Sequence, residues 1–571
     1  MRTIHLPSVI VRFGILSSVA ATLGLAGCAS DPVASAERAA VVNGRPDLGR
    51  HSRSISTTSQ TCQREFDEGL RWMYSFNHDE AVRSFQRAAE ADPSAAMPWW
   101  GIAICRGPHI NNPTMDEASS QEAWAALGKA RSAMARCTPA EKALIEALGH
   151  RYVDPATTKP LPMDPASRAP LDRAYADAMA KVYEKFPQDD DVATIYAEAL
   201  MDLRPWDLWS LKGEPRPETG SVVAALEAVL ARSPDHPGAN HYYIHAIEAS
   251  TTPERADAAA TRLRTLVPGS GHMVHMPAHI DVRLGRWNLA ADQNERAMAA
   301  HRAYTRLSPK QGLYRAYMFH NDHFLAYSCM MAGREEDAIA AARGMVRSIP
   351  QEFIESYAPV ADAYTGIEVE SLVRFGRWDE ILREPQPAAA LPITRALWRF
   401  ARATALAAKG DAAAARQEQK QFREAANAVP KGAMMAINPA ERVLGIAEHM
   451  LEGEIAYREG KKSEAVTQFR KAIEIEDSLQ YIEPPDWVQP VRHVLGAVLL
   501  EDGQHAAAAE VYREDLRRNR ENGWSLHGLA RCEEALGRKV EAAALDARFA
   551  KAWSRSTLKL EASCLCVKAA R

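Results

Sequence analysis

Seven of the eight histidines between residues 241 and 323 are spaced in a repeating way. His241 and His275 are 34 residues apart, as are His245 and His279; His272 to His320 and His275 to His323 are both 48. Within each group the separations are three or four residues, which places side chains on one face of a helix. Neutral imidazole is the commonest side-chain ligand for transition metals, and imidazole with carboxylate suits copper, iron or zinc. One tetrahedral ion takes about four ligands, so seven histidines predict one or two ions. Glu198, Asp202 and Glu248 are the carboxylates expected to complete or orient the shell and to move protons. Thioethers at Met273, Met276 and Met318 flank the histidines and favour copper or iron, with zinc possible. The chemistry expected of such a set is oxidation or reduction of a small organic substrate at an ion with an open position. Three other uses fit the same residues: metal storage, a pH-sensitive or anion-binding groove, and a non-catalytic scaffold that binds a peptide or an envelope protein.

The spacing also says what must hold these residues. Thirty-four is the length of the tetratricopeptide repeat, a helix–turn–helix unit. Its small and large positions recur as Gly69, Ala81, Phe85, Ala88 and Pro93, and again as Tyr457, Gly460, Ala465, Phe469 and Ala472. They return in Gly496, Gly503 and Tyr512, and in Trp524, Gly528 and Gly537. Small residues let paired helices approach, and no single hairpin can bury its apolar face, so the hairpins must stack. Alternating β-branched runs are absent. The predicted fold is therefore all-α, a tetratricopeptide superhelical solenoid. With Ala256, Ala290 and Ala338 at the repeat's small position, the histidines fall on first-helix positions that line the concave surface, which predicts a shared open groove. The 48-residue interval is one repeat with an insertion around "TRLSPKQGLYRAY". Pro277 is expected to start its helix, leaving His272 and His275 on the preceding turn.

The remaining chain divides by composition. Arg2, Arg12, an apolar run and Leu25-Ala26-Gly27-Cys28 make residues 1–27 an export signal with a lipobox, and Cys28 the lipidated first residue of the mature protein. Ala29 after it directs sorting to the outer membrane, so a lipid-anchored outer-membrane protein is expected, with the lipid as its sole membrane attachment. Residues 28–60 lack periodicity and read as a flexible tether. N-terminal hairpins with insertions are expected over 61–235, histidine-rich hairpins over 236–345, C-terminal hairpins over 346–555 and a tail over 556–571. The insertion "DLRPWDLWSLKGEPRPETG" belongs on a rim of the groove. Hydrophobic content of 47% with 25% charged residues is that of a globular protein. Losing Arg2 and Arg12 with the leader moves the formal charge from −4 to −6, too dispersed to point to a nucleic-acid partner. Export permits disulfides, and one pair is expected among Cys62, Cys105 and Cys137. No CxxCH, HExxH, GxSxG or P-loop occurs.

In succession, "PWWGIA…GPHINNP", "AEALMDLRPW", "NHYYIHAIEAS", "HMVHMPAHIDVRLGRW", "HNDHFL" and "EPPDWVQPVR" resemble segments of large bacterial tetratricopeptide lipoproteins with a histidine-rich groove. The resemblance covers about residues 60 to 550 and implies fold and extent; it carries no activity. Among its segments, His109, Tyr242, Trp487 and Arg492 are further candidates for the groove lining.

Overall fold

The computed structural model describes residues 32–309, 311–565 and 567. The leader, Cys28 and Cys566 lie outside them, and so does the expected lipid attachment. The described chain is a succession of helical hairpins, as expected. Pairs include Gln60–Tyr74 with His78–Ala91, Pro237–Glu248 with Asp257–Leu266, Arg315–Met331 with Glu335–Ser348, and Gly523–Ala535 with Lys539–Ala552. The strands among the described residues are two two-residue ladders, Val41–Val42 with Arg45–Pro46 and Met434–Met435 with Asn438–Pro439.

Local chemistry sets the boundaries. Asn77 caps its helix by accepting the Glu80 amide, and Thr138 and Glu141 form a reciprocal capping box. Gly285, at φ +74°, makes the turn after Pro277–Arg283 with a backbone that other residues rarely adopt. Close approach is visible at Phe85. A Cβ on Gly69 would stand 2.6 Å from its ring and one on Gly101 2.7 Å away, so three successive helices meet on one phenyl face. Ala256, Ala290 and Ala338 are fully buried, which fixes the register inferred from the repeat.

The solenoid closes on itself. Trp287 donates its indole N–H to Arg520 O (2.9 Å), Trp524 donates to Met330 O (2.9 Å), and Arg555 pairs with Asp292 (2.5 Å). The C-terminal hairpins therefore pack on the central ones. Two apolar cores result: one runs from Leu48 into the central repeats, the other from Ala278 to the C-terminus. The histidine segment lies at their junction.

Two expectations are corrected here. Residues 32–60 do not form a loose tether. They hold the helix Pro32–Ala39, the first ladder and an extended strap tied to the body by Arg53–Asp189 (2.6 Å), Ser56 N–H to Glu141 (2.7 Å) and Gly269 N–H to Asp47 O (2.7 Å). Their polar composition has partners far along the chain, which composition alone does not display. Cys62, Cys105 and Cys137 are buried free thiols rather than a bridge.

Candidate metal centre

Four helices carry the histidines. The helix Pro237–Glu248 supplies His241 and His245; the helices Gly271–His275 and Pro277–Arg283 supply His272, His275 and His279; and Arg315–Met331 supplies His320 and His323. As expected, Pro277 begins its helix. The preceding turn is itself helical, capped by Ser270, so His275 and His279 still stack across the break.

The side chains gather into two neighbouring triads, His241–His245–His272 and His275–His279–His320, each with ligand atoms within 4.8 Å of one another. In the second, His275 Nε2 is 2.9 Å from His279 Nε2 and 3.0 Å from His320 Nε2. In the first, His241 Nε2 is 3.1 Å from His272 Nε2. The outer ring atoms explain the orientation. His275 Nδ1 is 2.7 Å from Asn294 Oδ1, and Asn294 donates its amide N–H to Ala290 O (2.8 Å), so the oxygen faces the ring. His241 Nδ1 donates to Tyr74 O (2.7 Å). Glu248 serves both triads at once, with one carboxylate oxygen 2.8 Å from His245 Nδ1 and the other 2.5 Å from His279 Nδ1. With Nδ1 carrying the proton in His241, His245, His275 and His279, their Nε2 lone pairs are left facing inward. That is the tautomer metal ligands need, held by the partners that usually hold it.

The electrostatics agree. Burial, reinforced by neighbouring imidazoles, holds His241, His272, His275 and His320 well below the ordinary histidine range. Burial works against Glu248 as a carboxylate, but His279 and His245 bring it down to about 2. Burial also opposes charge on His279, and the Glu248 carboxylate outweighs it and raises the ring.

The open groove is a further correction. His241 and His275 are 0% exposed and His272 and His279 1%, because the closed superhelix packs both cores around them. Two small cavities of about 20 Å³ reach this region, each with room for about one water. One is lined by Ile110, Arg204, Trp206, His245 and Glu248; the other by His78, Arg151, Glu198 and Tyr242. Trp206 comes from the Pro- and Trp-rich insertion assigned to a rim, and its ring stands edge-on to His245 at 5.2 Å.

The remaining candidates are distributed as follows. Glu198 and Asp202 are not on the imidazoles: Asp202 pairs with the buried Arg151, and burial pushes both carboxyls up, Asp202 to about 6. Arg151 lies about fifty residues upstream and gives no sign in the sequence that it will take them. His109 stacks on Phe76 (4.8 Å), which in turn contacts His241 (4.6 Å). Tyr242 packs on Phe76 as well. His323 stands outside both triads, against the Tyr364 ring. Trp487 packs on Phe400 in the C-terminal core, and Arg492 pairs with Asp477 (2.6 Å). Sequence reasoning missed Asn294, Tyr74 and Glu483. Glu483 joins Glu248 and His279 within 4.8 Å, and its signal was its place in the "EPPDWVQPVR" segment.

A second cluster shows what the tautomer argument excludes. His51, Asp191 and His236 also lie within ligand distance. Here, however, His236 Nδ1 accepts the Ala239 amide, so its Nε2 carries the proton and donates to Asp191 Oδ1 (3.2 Å), as does Tyr74 OH (2.7 Å). Asp191 is thereby satisfied, and the cluster ties the N-terminal strap to the body.

No family model and no curated protein matches the chain. Solved structures that align with most of it are tetratricopeptide solenoids, at low similarity. Human IFIT1 bound to m7Gppp-AAAA is 13% identical, with 80% of this chain and 90% of that one covered and a TM-score of 0.32. Yeast Tom70 is 11% identical over 86% and 90%, TM-score 0.29. The P58(IPK) TPR domain is 12% identical over 84% and 98%, TM-score 0.19. The chain is similar to these in kind of architecture, an all-α repeat fold.

Proposed function

We propose that this protein holds two transition-metal ions in the paired histidine triads and uses them as a metal-dependent oxidoreductase. The observation that carries the reading is the convergence of Nε2 atoms at 2.9–3.1 Å in a sealed interior. His275 and His279 both turn Nδ1 to a partner, and lone pairs facing each other at that distance repel unless a proton or a cation lies between them. The donor set, three imidazoles per ion with a shared carboxylate behind them, supports copper or iron. When bound, the ions would supply one-electron redox chemistry. The protein's own residues orient them: Asn294, Tyr74 and Glu248 fix the tautomers, and Glu248 retains the negative charge that balances them.

The size of the cavities supports a narrower substrate than the sequence suggested. A molecule the size of water, dioxygen or peroxide fits beside His245 and Glu248; an organic substrate does not. The test is elemental analysis of untagged protein beside a His241→Ala/His275→Ala double variant. One or two equivalents of copper or iron, lost in the variant, are expected. Protein that holds no stoichiometric copper, iron, zinc or manganese after reconstitution ends this reading and leaves an interaction scaffold.

A further inference from the structure

The first triad connects to the surface through aromatic rings. His272 lies against Tyr317 with centroids 4.7 Å apart, Tyr317 against Tyr314 at 5.4 Å, Tyr314 against Tyr304 at 5.7 Å, and Tyr304 against Trp72 at 5.5 Å. All four of these rings are easily oxidised side chains, and each touches the next. The path ends where Tyr304 OH donates to Glu80 Oε1 (2.9 Å), and Glu80 pairs with Arg83 (2.7 Å), whose side chain is 42% exposed.

Packing alone does not account for these residues. The hydroxyls of Tyr314 and Tyr317 are buried without a well-formed hydrogen bond, with Ser270 and the His272 backbone beside the first and Asn111 beside the second. A buried unpaired polar group costs about 1–3 kcal/mol, so phenylalanine would pack better at both positions. Tyr152 and Tyr74, by contrast, donate to Ala103 O and to Asp191, although Tyr175 outside the path is also without a well-formed hydrogen bond. The two unpaired phenols sit between the metal centre and the one tyrosine of the path whose proton has a carboxylate to receive it.

Resting on the metal reading above, we propose that Tyr317, Tyr314 and Tyr304 form an electron relay that joins the sealed centre to a one-electron organic reductant at the surface. Hydrogen peroxide, admitted through the small cavity, becomes two waters by taking two electrons and two protons. One electron would come from the reduced ion held by His241, His245 and His272, which a second molecule of the surface reductant re-reduces along the same rings. The second comes from Tyr304 by way of Tyr314 and Tyr317, and leaves Tyr304 as a neutral phenoxyl radical. Its phenolic proton passes to Glu80, while the two protons consumed at the centre come from solvent water. Neither Ser270 nor Asn111 is a base, so the oxidation does not settle on Tyr314 or Tyr317. An ascorbate- or phenol-type reductant at the Glu80–Arg83 edge then returns an electron, and Glu80 the proton, to restore Tyr304. In this scheme an organic molecule is oxidised without entering the interior.

Untagged protein reconstituted with copper or iron, reduced and then mixed with hydrogen peroxide, is frozen within milliseconds for electron paramagnetic resonance. A tyrosyl signal is expected that narrows when the tyrosine rings are deuterated. It should vanish on adding ascorbate and be lost in Tyr304→Phe and in Tyr317→Phe at unchanged metal content. Tyr314→Phe provides a second interruption should either variant fold poorly by circular dichroism. Metal-loaded protein that consumes peroxide without a tyrosyl signal, or whose signal survives in these variants, overturns the relay and leaves the metal centre standing. Absence of bound metal, read separately by elemental analysis, overturns the centre and the relay with it.

Discussion

Glu248 shows how one side chain can decide a site. Its two oxygens meet His245 and His279, so it orients one ring in each triad and supplies the charge that favours a cation there. Gln in its place keeps the shape but offers one acceptor and no charge. Glu248→Gln is expected to weaken metal binding by roughly 10–100-fold, the effect usual for losing a carboxylate behind a ligating histidine, measured by calorimetric titration on apo protein. Unchanged affinity would mean that the imidazoles bind without it. At this scale the histidines were legible because the repeat imposes a period on them, and Glu248 because it falls one helical turn beyond His245. Glu198 and Asp202 carry the same helical signature and misled for a physical reason. A buried guanidinium competes for carboxylates more strongly than neutral imidazole does, and Arg151 has no fixed spacing from them in the sequence.

At the level of elements, the closure between C-terminal and central hairpins rests on a few anchors. Trp524 is fully buried, donates to Met330 O and lies under the Arg374 guanidinium at 3.7 Å. Removing its indole leaves a cavity, a carbonyl short of one donor and a buried cation without its ring. Trp524→Ala is expected to destabilise the fold by roughly 3–5 kcal/mol, seen as an earlier urea midpoint and as new proteolytic cuts between the last hairpins. If the midpoint holds, the closing contact is not a determinant of stability. Individual hairpins were readable from their small and large positions. A closed or strongly curved superhelix was expected, but which hairpins meet was not legible, because the contact between Trp287 and Arg520 depends on the rotation summed over every repeat between them, a quantity no single repeat encodes. The strap over residues 41–57 was hidden in the same way, its ion-pair partners lying more than a hundred residues on.

For the molecule as a whole, buried titratable groups set the pH range of stability. Burial holds His78 down to about 4 and His301 to about 3, against an unfolded value near 6.5. Below pH 6.5 the unfolded chain therefore binds protons that the fold refuses, and stability falls as pH drops towards 4. Burial raises Glu370 and Glu476 to about 8 and Glu454 to about 7, against 4.5 unfolded. For these the fold keeps protons that the unfolded chain has released, so stability falls as pH rises from 4.5 to 8. Both effects act between 4.5 and 6.5, and only one acts on either side. The melting temperature of apo protein is thus expected to peak inside that window; scanning calorimetry placing the maximum above pH 7 would contradict it.

The closed ring has a consequence in time as well as in energy. Because the triads are walled by hairpins from both ends of the chain, an ion cannot be exchanged faster than the wall opens. Occupancy then becomes a record of the conditions under which the chain folded rather than of the medium it later meets. Metal present while the ring is still open is captured, and afterwards a chelator of higher affinity removes it only at the rate of local unfolding. On the proposed metal reading, thermodynamic preference and actual content would therefore differ for the lifetime of a molecule, with selection among metals made once, as the chain folds.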